Sequence, residues 1–264
     1  MILVDNPDDP RVAPFRLNER GLTNRAQRRD DGGDGLFMAE GDLVVERALA
    51  AGCVPTMALV DAQRPPTELL SRLQCPVYAG GEQLRAAITK LGMPYSVVAL
   101  FERPERLPAS KIALHSNRLI IAEAVDNPVN IGSIVRNSLA LGWDGLVIDR
   151  TSADPLARRA LRVSMGHALH LPHARTDDVP ELVRALVAGG VVVCALTPAP
   201  DAVDLADVPV AARMALLVGS ERAGLSPAAQ AAASHRVTIP MQHGVDSLNA
   251  AAATAVACWQ LRAR

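Results

Sequence analysis

The stretch Val237-Thr-Ile-Pro-Met-Gln-His-Gly-Val-Asp-Ser-Leu-Asn249, followed by the alanine-rich run from Ala250 to Leu261, decides how this chain is read. Val237, Thr238 and Ile239 are β-branched and suit a short buried strand, whose ladder Pro240 ends. Gly244 lets the chain turn with φ > 0. Asp246 or Ser247 then offers a side-chain oxygen to the first free amides of a helix. That helix carries alanine on almost every face, so a neighbouring backbone can come close and the helix reads as buried. A strand, a tight polar loop and a buried helix start together make a place where backbone amides can hold a small ligand.

Working back from this stretch, the same strand-helix alternation recurs. Leu119–Ala122, Gly145–Ile148, Val191–Leu196 and Ala215–Val218 read as buried strands. Helices are expected from Asn130 or Ile131 to Leu141, from Leu156 to Met165, from Val179 to Leu186 and from Pro227 to about Ala233. Asn130 is well placed to cap the first of these. Strands alternating with helices predict a mostly parallel sheet covered on both sides. A smaller α/β layer precedes it, with strands at Met57–Val60, Val77–Ala79 and Val97–Phe101. The segment after it, Glu102-Arg-Pro-Glu-Arg-Leu-Pro-Ala-Ser110, carries two prolines and four charges and reads as a linker. The expected organisation is therefore a polar, partly disordered lead-in over 1–35, a small domain over 36–101, a linker over 102–117 and a larger α/β domain over 118–264. Between Arg11 and Arg29 the lead-in holds six arginines against one glutamate, which alternatively suits a basic arm.

Composition narrows the function. A net charge of −1 gives no whole-protein field toward nucleic acid, so any RNA site is a local patch. Such a patch is offered between Arg150 and Arg175, where five arginines face one aspartate and Arg158, Arg159 and Arg162 share a helix. Only seven aromatic residues are available, which disfavours extensive base stacking. Cys53, Cys75, Cys194 and Cys258 lie far apart in mostly apolar runs and read as reduced core thiols, not as ligands. The N-terminus reaches an acid too early for a signal peptide, and no apolar run is long enough to span a bilayer. A soluble, cytoplasmic protein is expected. GxGxxG, GxxxxGK[ST], GxSxG and HExxH are all absent. His167, His170 and His173 cross a predicted helix end and read as exposed or capping residues, so no metal is expected.

Three polar clusters remain, each at the C-terminal end of a predicted strand, where open α/β sheets bind ligands. They are Asp126-Asn-Pro-Val-Asn-Ile-Gly-Ser-Ile-Val-Arg-Asn137, Val218-Gly-Ser-Glu-Arg-Ala-Gly-Leu-Ser226 and the opening stretch. In this order they resemble the SpoU (TrmH-like) branch of the SPOUT RNA 2′-O-ribose methyltransferases. The resemblance is carried by Asn130-Ile-Gly-Ser-Ile-Val-Arg136, by Gly219-Ser-Glu-Arg-Ala-Gly-Leu225, and by Ile239-Pro-Met241 with Ser247-Leu-Asn249. Ser152 to Gly166 and Ala39-Glu-Gly41 match as well, so the likeness spans about residues 36–264.

That resemblance implies S-adenosylmethionine as methyl donor and a ribose 2′-hydroxyl in tRNA or rRNA as acceptor. It also implies a homodimer, a C-terminal trefoil knot, and an N-terminal RNA-binding domain resembling a ribosomal-protein fold. By the family pattern the donor lies against backbone groups at Gly219, Ile239 and Leu248; Leu196 and Thr197, at the preceding strand end, and Met241 are expected to join them. Asn130, Arg136, Glu221, Ser247 and Asn249 surround the ribose. Arg136 is the residue the family suggests for activating the hydroxyl. A guanidinium is essentially never deprotonated, so stabilising alkoxide charge or gripping a phosphate suits it better than acting as a base. Glu221 can take the proton or fix Arg136. Two departures stand out: Arg222 where relatives often carry glycine, and Ala250 where valine is common. The rival readings are a catalytically silent RNA-binding relative and an unrelated α/β nucleotide enzyme.

Overall fold

Short apolar runs punctuated by Gly, Pro and polar turns fold into two α/β units in the computed structural model, which describes residues 1–23 and 35–263. One unit is Met1–Glu105 with Leu156–His170; the other is Arg106–Pro155 with Leu171–Arg264.

The first unit contains, in chain order, β1 (Ile2–Leu3), α1 (Glu19–Leu22), β2 (Leu36–Glu40), α2 (Asp42–Ala50), β3 (Pro55–Asp61), α3 (Thr67–Leu70), β4 (Val77–Gly80), α4 (Glu82–Thr89) and β5 (Val97–Glu102). The sheet order is β1-β4-β3-β5-β2, with β5 antiparallel to both β3 and β2. Phe37 and Phe101 face each other across β2 and β5 with ring centroids 5.3 Å apart, a cross-strand aromatic pair that fixes the register.

The lead-in corrects the sequence reading. Residues 24–34 lie outside the described residues, but β1 pairs with β4 and a 3-10 helix runs over Pro10–Arg16. Val4, Val12, Phe15 and Leu22 are buried in the first unit's core. Apolar residues are sparse here, and these four supply the packing while Met1, Ile2, Leu3 and Leu17 stay exposed. Two of the arginines are paired locally, Arg11 with Asp9 at 2.6 Å and Arg16 with Asp8 at 2.9 Å.

The second unit begins with α5 (Ala109–His115), inside the expected linker. Pro108 stands at its N-cap and Ile112 and Ala113 are buried, so this proline starts a helix instead of marking loose chain. Then come β6 (Arg118–Glu123), α6 (Pro128–Ala140) and β7 (Gly145–Ile148). The chain next contributes α7 (Arg158–Val163) to the first unit. The second unit resumes with β8 (His173–Arg175), α8 (Val179–Ala188), β9 (Val192–Leu196), β10 (Val203–Asp204), β11 (Met214–Gly219), α9 (Pro227–Ala232), β12 (His235–Thr238) and α10 (Ala250–Gln260).

This sheet is parallel throughout, ordered β10-β12-β9-β11-β6-β7-β8. β6 and β11 sit at its middle, and their uninterrupted apolar runs are buried on both faces, as a parallel sheet requires. At the N-terminal edge the buried Arg118 guanidinium donates to the carbonyls of Asn117, Ala211, Ala212 and Leu261. The opposite edge is left to carry polar loops. α10 packs on α6, where the Trp143 indole donates to Cys258 O at 3.2 Å.

The segment 156–170 belongs with the first unit, not with the larger domain as its position in the sequence suggested. The physical reason is Glu40. Its carboxylate is fully buried and receives both Arg158 and, at 2.7 Å, Arg162. The Arg158 amide also donates to Glu19 at 2.7 Å.

Candidate active site

The loops after β9, β11 and β12 open on the C-terminal edge of the parallel sheet, where such sheets bind ligands. They enclose a cavity of about 570 Å³, of a size for one small-molecule ligand. Leu196 and Thr197 line it from the end of β9, and Gly219–Leu225 from the end of β11. Ile239 and Met241 come from the end of β12, and Ser247 and Leu248 from the approach to α10.

Gly219 is where the β11 loop folds back against its own strand. A Cβ there would lie 2.3 Å from the Gly224 carbonyl carbon and 2.4 Å from the Leu225 nitrogen, so no side chain fits. Gly224 supplies the left-handed φ of 66° that closes the turn, and its amide returns to Ser220 O at 3.0 Å. Glu123, at the end of β6, clamps the far side of this loop. It accepts from the Ser226 amide at 2.7 Å and from the Ser226 hydroxyl at 2.8 Å.

At the cavity's rim three polar side chains are knitted together. The Asn130 amide donates to Glu221 Oε1 at 3.0 Å, and the Asn249 amide donates to Asn130 Oδ1 at 3.0 Å. Asn249 also donates to Glu221 Oε1. Its own Oδ1 accepts from the amides of Ala251 at 2.9 Å and Ala252 at 3.2 Å. Asn249 is thus the N-cap of α10, not Asp246 or Ser247. Because its oxygen must face those amides, its NH₂ must face Glu221. Asn130 is likewise not the cap of α6. Asn127 is, accepting from Val129 N at 2.9 Å ahead of Pro128, and this leaves the buried Asn130 free for Glu221. On the other side of Glu221 lies a polar cavity of about 190 Å³, lined by Ala124–Asn127, Asn130, Ser220, Glu221 and Arg222. Ser220, Glu221 and Arg222 line both cavities.

The profile of the SpoU rRNA Methylase family matches residues 117–259. An uncharacterized tRNA/rRNA methyltransferase of Mycobacterium bovis is 38% identical over 97% of this chain and 90% of its own length. The chain belongs to the SpoU family. The 23S rRNA (guanosine(2553)-2′-O)-methyltransferase of Bacillus subtilis is 30% identical, over 86% of this chain and 88% of its own. Among solved structures, the AdoMet-bound rRNA methyltransferase of Sinorhizobium meliloti superposes with a TM-score of 0.82 at 27% identity. That match covers 98% of this chain and 96% of the other.

In this SpoU chain Leu196, Thr197, Gly219, Ile239, Met241, Leu248 and Ser247 all line the larger cavity, and Asn130, Glu221 and Asn249 meet at its rim. Arg136 does not join them. It is exposed on α6 and lines neither cavity. Six residues along a helix turn it about 120° away from Asn130. Arg158 and Arg162 are committed to Glu40, so of the three expected phosphate-gripping arginines only Arg159 is exposed. The sequence reading missed Glu123. An acid placed directly after the buried run Leu119–Ala122 is the signal that marks it.

Among the four thiols, Cys194 and Cys258 are buried, and burial pushes them up to about 11 and about 12. Cys53 and Cys75 are only half-buried, contrary to the reading of all four as core residues. No helix of the described residues is long and apolar enough to cross a membrane.

Proposed function

We propose that this chain is an S-adenosylmethionine-dependent methyltransferase that acts on a ribose 2′-hydroxyl in rRNA or tRNA. The observation that carries the reading is the Asn130–Glu221–Asn249 cluster, which stands between a nucleoside-sized cavity and a smaller polar one. Its family membership and the named activities of its relatives in Bacillus subtilis and Sinorhizobium meliloti support it.

The larger cavity fits the donor. It is large enough for an adenosyl group, and its β11 wall is set by the loop that folds back onto Gly219. Leu196, Thr197, Gly219, Ile239, Met241 and Leu248 hold the donor there. S-adenosylmethionine supplies an electrophilic methyl on a sulfonium, so the protein's task is orientation. The smaller cavity is the acceptor side. Glu221 Oε1 is taken up by the two asparagines, and no hydrogen bond among the described residues occupies Oε2. Oε2 receives the hydroxyl proton. Asn130 and Asn249 fix the carboxylate, and Ser247 contributes a hydroxyl at the cavity wall. Arg136 acts from the surface of α6, on a phosphate of the bound RNA.

The first unit serves as the RNA-recognition domain, and the molecule works in the cytoplasm as a homodimer. The exposed Val256 and Trp259 on α10 give a dimer an apolar face to cover. A C-terminal trefoil knot belongs to the same reading.

The test combines calorimetry with S-adenosylmethionine and nucleoside mass spectrometry of rRNA and tRNA incubated with protein and donor. Donor binding and a new 2′-O-methylated nucleoside are expected, and Arg136→Ala should abolish the second while keeping the first. A protein that binds RNA but not the donor is the silent relative, and the proposal fails.

A further inference from the structure

Ala124 has φ = 56°, in the left-handed region that alanine avoids, and it is the first residue of the β6 loop that lines the acceptor-side cavity. A non-glycine residue stays there only when its surroundings over-determine it. Here they do. The Ala124 amide donates to Asp149 Oδ1 at 3.0 Å, and the next amide, Val125, donates to Ser152 Oγ at 2.9 Å. Ser152 is buried, and its hydroxyl and amide both donate to Asp149 Oδ1. Ala153 N returns to Val125 O at 2.9 Å, and Arg175 holds the carbonyls of Asp149 and Ser152 from below.

Burial raises the Asp149 carboxyl, but hydrogen bonds from Ser152, Thr151 and the Ala124 amide outweigh it and hold the group below its ordinary value. It is therefore a charged acceptor at neutral pH. None of these contacts reaches the larger cavity. They converge on the β6 loop, which faces Glu221 and Arg222 and leads into the Asn127 cap and Asn130.

We propose that Asp149, backed by Ser152, is a positioning residue: it holds Ala124 in its strained conformation and so shapes the wall against which the acceptor nucleotide is presented. This rests on the smaller cavity being the acceptor side. Asp149 touches neither substrate and acts through the loop.

The test uses the full chain, S-adenosylmethionine and unmodified rRNA and tRNA, with kcat read on whichever accepts the methyl group. Asp149→Ala is expected to lower kcat while the donor Kd from calorimetry stays within about twofold, because the donor wall is untouched. Adding Ala124→Gly should restore kcat by roughly fivefold to thirtyfold, since glycine takes the left-handed region without alanine's penalty. A donor Kd that weakens in step with kcat, or a double variant no faster than Asp149→Ala, overturns the proposal. Hydrogen exchange of the segment 122–127 supplies a readout that needs no turnover. Faster exchange at Ala124 and Val125 in Asp149→Ala is expected, and unchanged exchange overturns it. If Asp149→Ala does not fold, Ser152→Ala, which removes the Val125 acceptor, the hydroxyl's link to Asp149 and a long 3.4 Å contact to Ala122 O, should shift exchange and kcat in the same direction by less. No shift in either refutes the role. Absence of methyl transfer by the unsubstituted protein counts against the function, not against this device, which exchange still decides.

Discussion

The Asn249 side chain joins two helices through one amide group: its oxygen caps α10, and its nitrogen donates to Asn130 of α6 at 3.0 Å. A single residue thus fixes both where α10 begins and where Glu221 points. The two tasks separate by substitution. Asn249→Ala removes the cap as well as the Glu221 contact and should cost about 1 kcal/mol of stability along with activity. Asn249→Asp keeps the capping oxygen but sets a carboxylate against Glu221 Oε1. We expect a melting temperature close to that of the unsubstituted protein, with kcat/KM lower by about tenfold or more, a loss of ~1.4 kcal/mol in the transition state. An Asn249→Asp protein that methylates at full rate would show that the cluster only caps the helix.

Gly219 makes a second prediction that turns on geometry alone. With Gly224 and Leu225 backbone atoms 2.3–2.4 Å from any Cβ, Gly219→Ala must push the β11 loop outward, and backbone cannot swing aside as a flexible side chain would. Overpacking of this kind costs about 1–3 kcal/mol. The displaced loop lines the larger cavity, so donor affinity measured by calorimetry should fall about tenfold or more. Unaltered affinity would place the donor elsewhere.

What the sequence could and could not tell follows from the range of the forces involved. Val191–Leu196 and Ala215–Val218 were legible as buried parallel strands because both faces are apolar, a property of the run itself. The cavity-lining residues were legible because they end those strands. The caps were not. Asp246, Ser247 and Asn249 all carry a competent oxygen within four residues, and only the position of Glu221 in space selects Asn249. For α6 a local signal existed, since Pro128 suits the first helical turn and points to Asn127 as the cap. The allegiance of 156–170 was invisible because it is set by Glu40, 118 positions before Arg158. The first 23 residues misled through sparse apolar content, although Val12 and Phe15 are fully buried.

The buried thiols predict an alkaline loss of stability. Burial raises Cys194 to about 11 and Cys258 to about 12 from an ordinary value of 9.0. The folded state therefore holds protons that the unfolded chain releases as pH passes 9. The stabilisation is complete below 9 and is lost as pH rises through 11 and 12. The denaturant midpoint should fall between pH 9 and 11, and Cys194→Ala with Cys258→Ala should flatten that fall while lowering stability at pH 7. An equally steep fall in the double variant would assign it to other groups.

The Glu40 carboxylate, enclosed by Arg158 and Arg162, makes those two arginines a structural charge cluster and sets them apart from Arg159 on the same helix. Removing one partner of a buried ion pair strands the other, at a cost of about 3–5 kcal/mol. The two arginines keep some solvent contact, so Glu40→Ala should fall toward the lower end of that range. Charge reversal at Arg158 or Arg162 should unfold the first unit before it reports on RNA. Arg159, exposed between them, carries the discriminating experiment. Arg159→Glu is expected to leave the melting temperature unchanged, weaken rRNA binding, and reduce the slope of log K against log salt by about 1. The salt slope is the decisive quantity, because lost packing lowers affinity at every salt concentration alike, whereas a lost phosphate contact changes how many counterions are released. An unchanged slope would remove α7 from the RNA-binding surface altogether and leave its arginines as the fastening of residues 156–170 to Glu40.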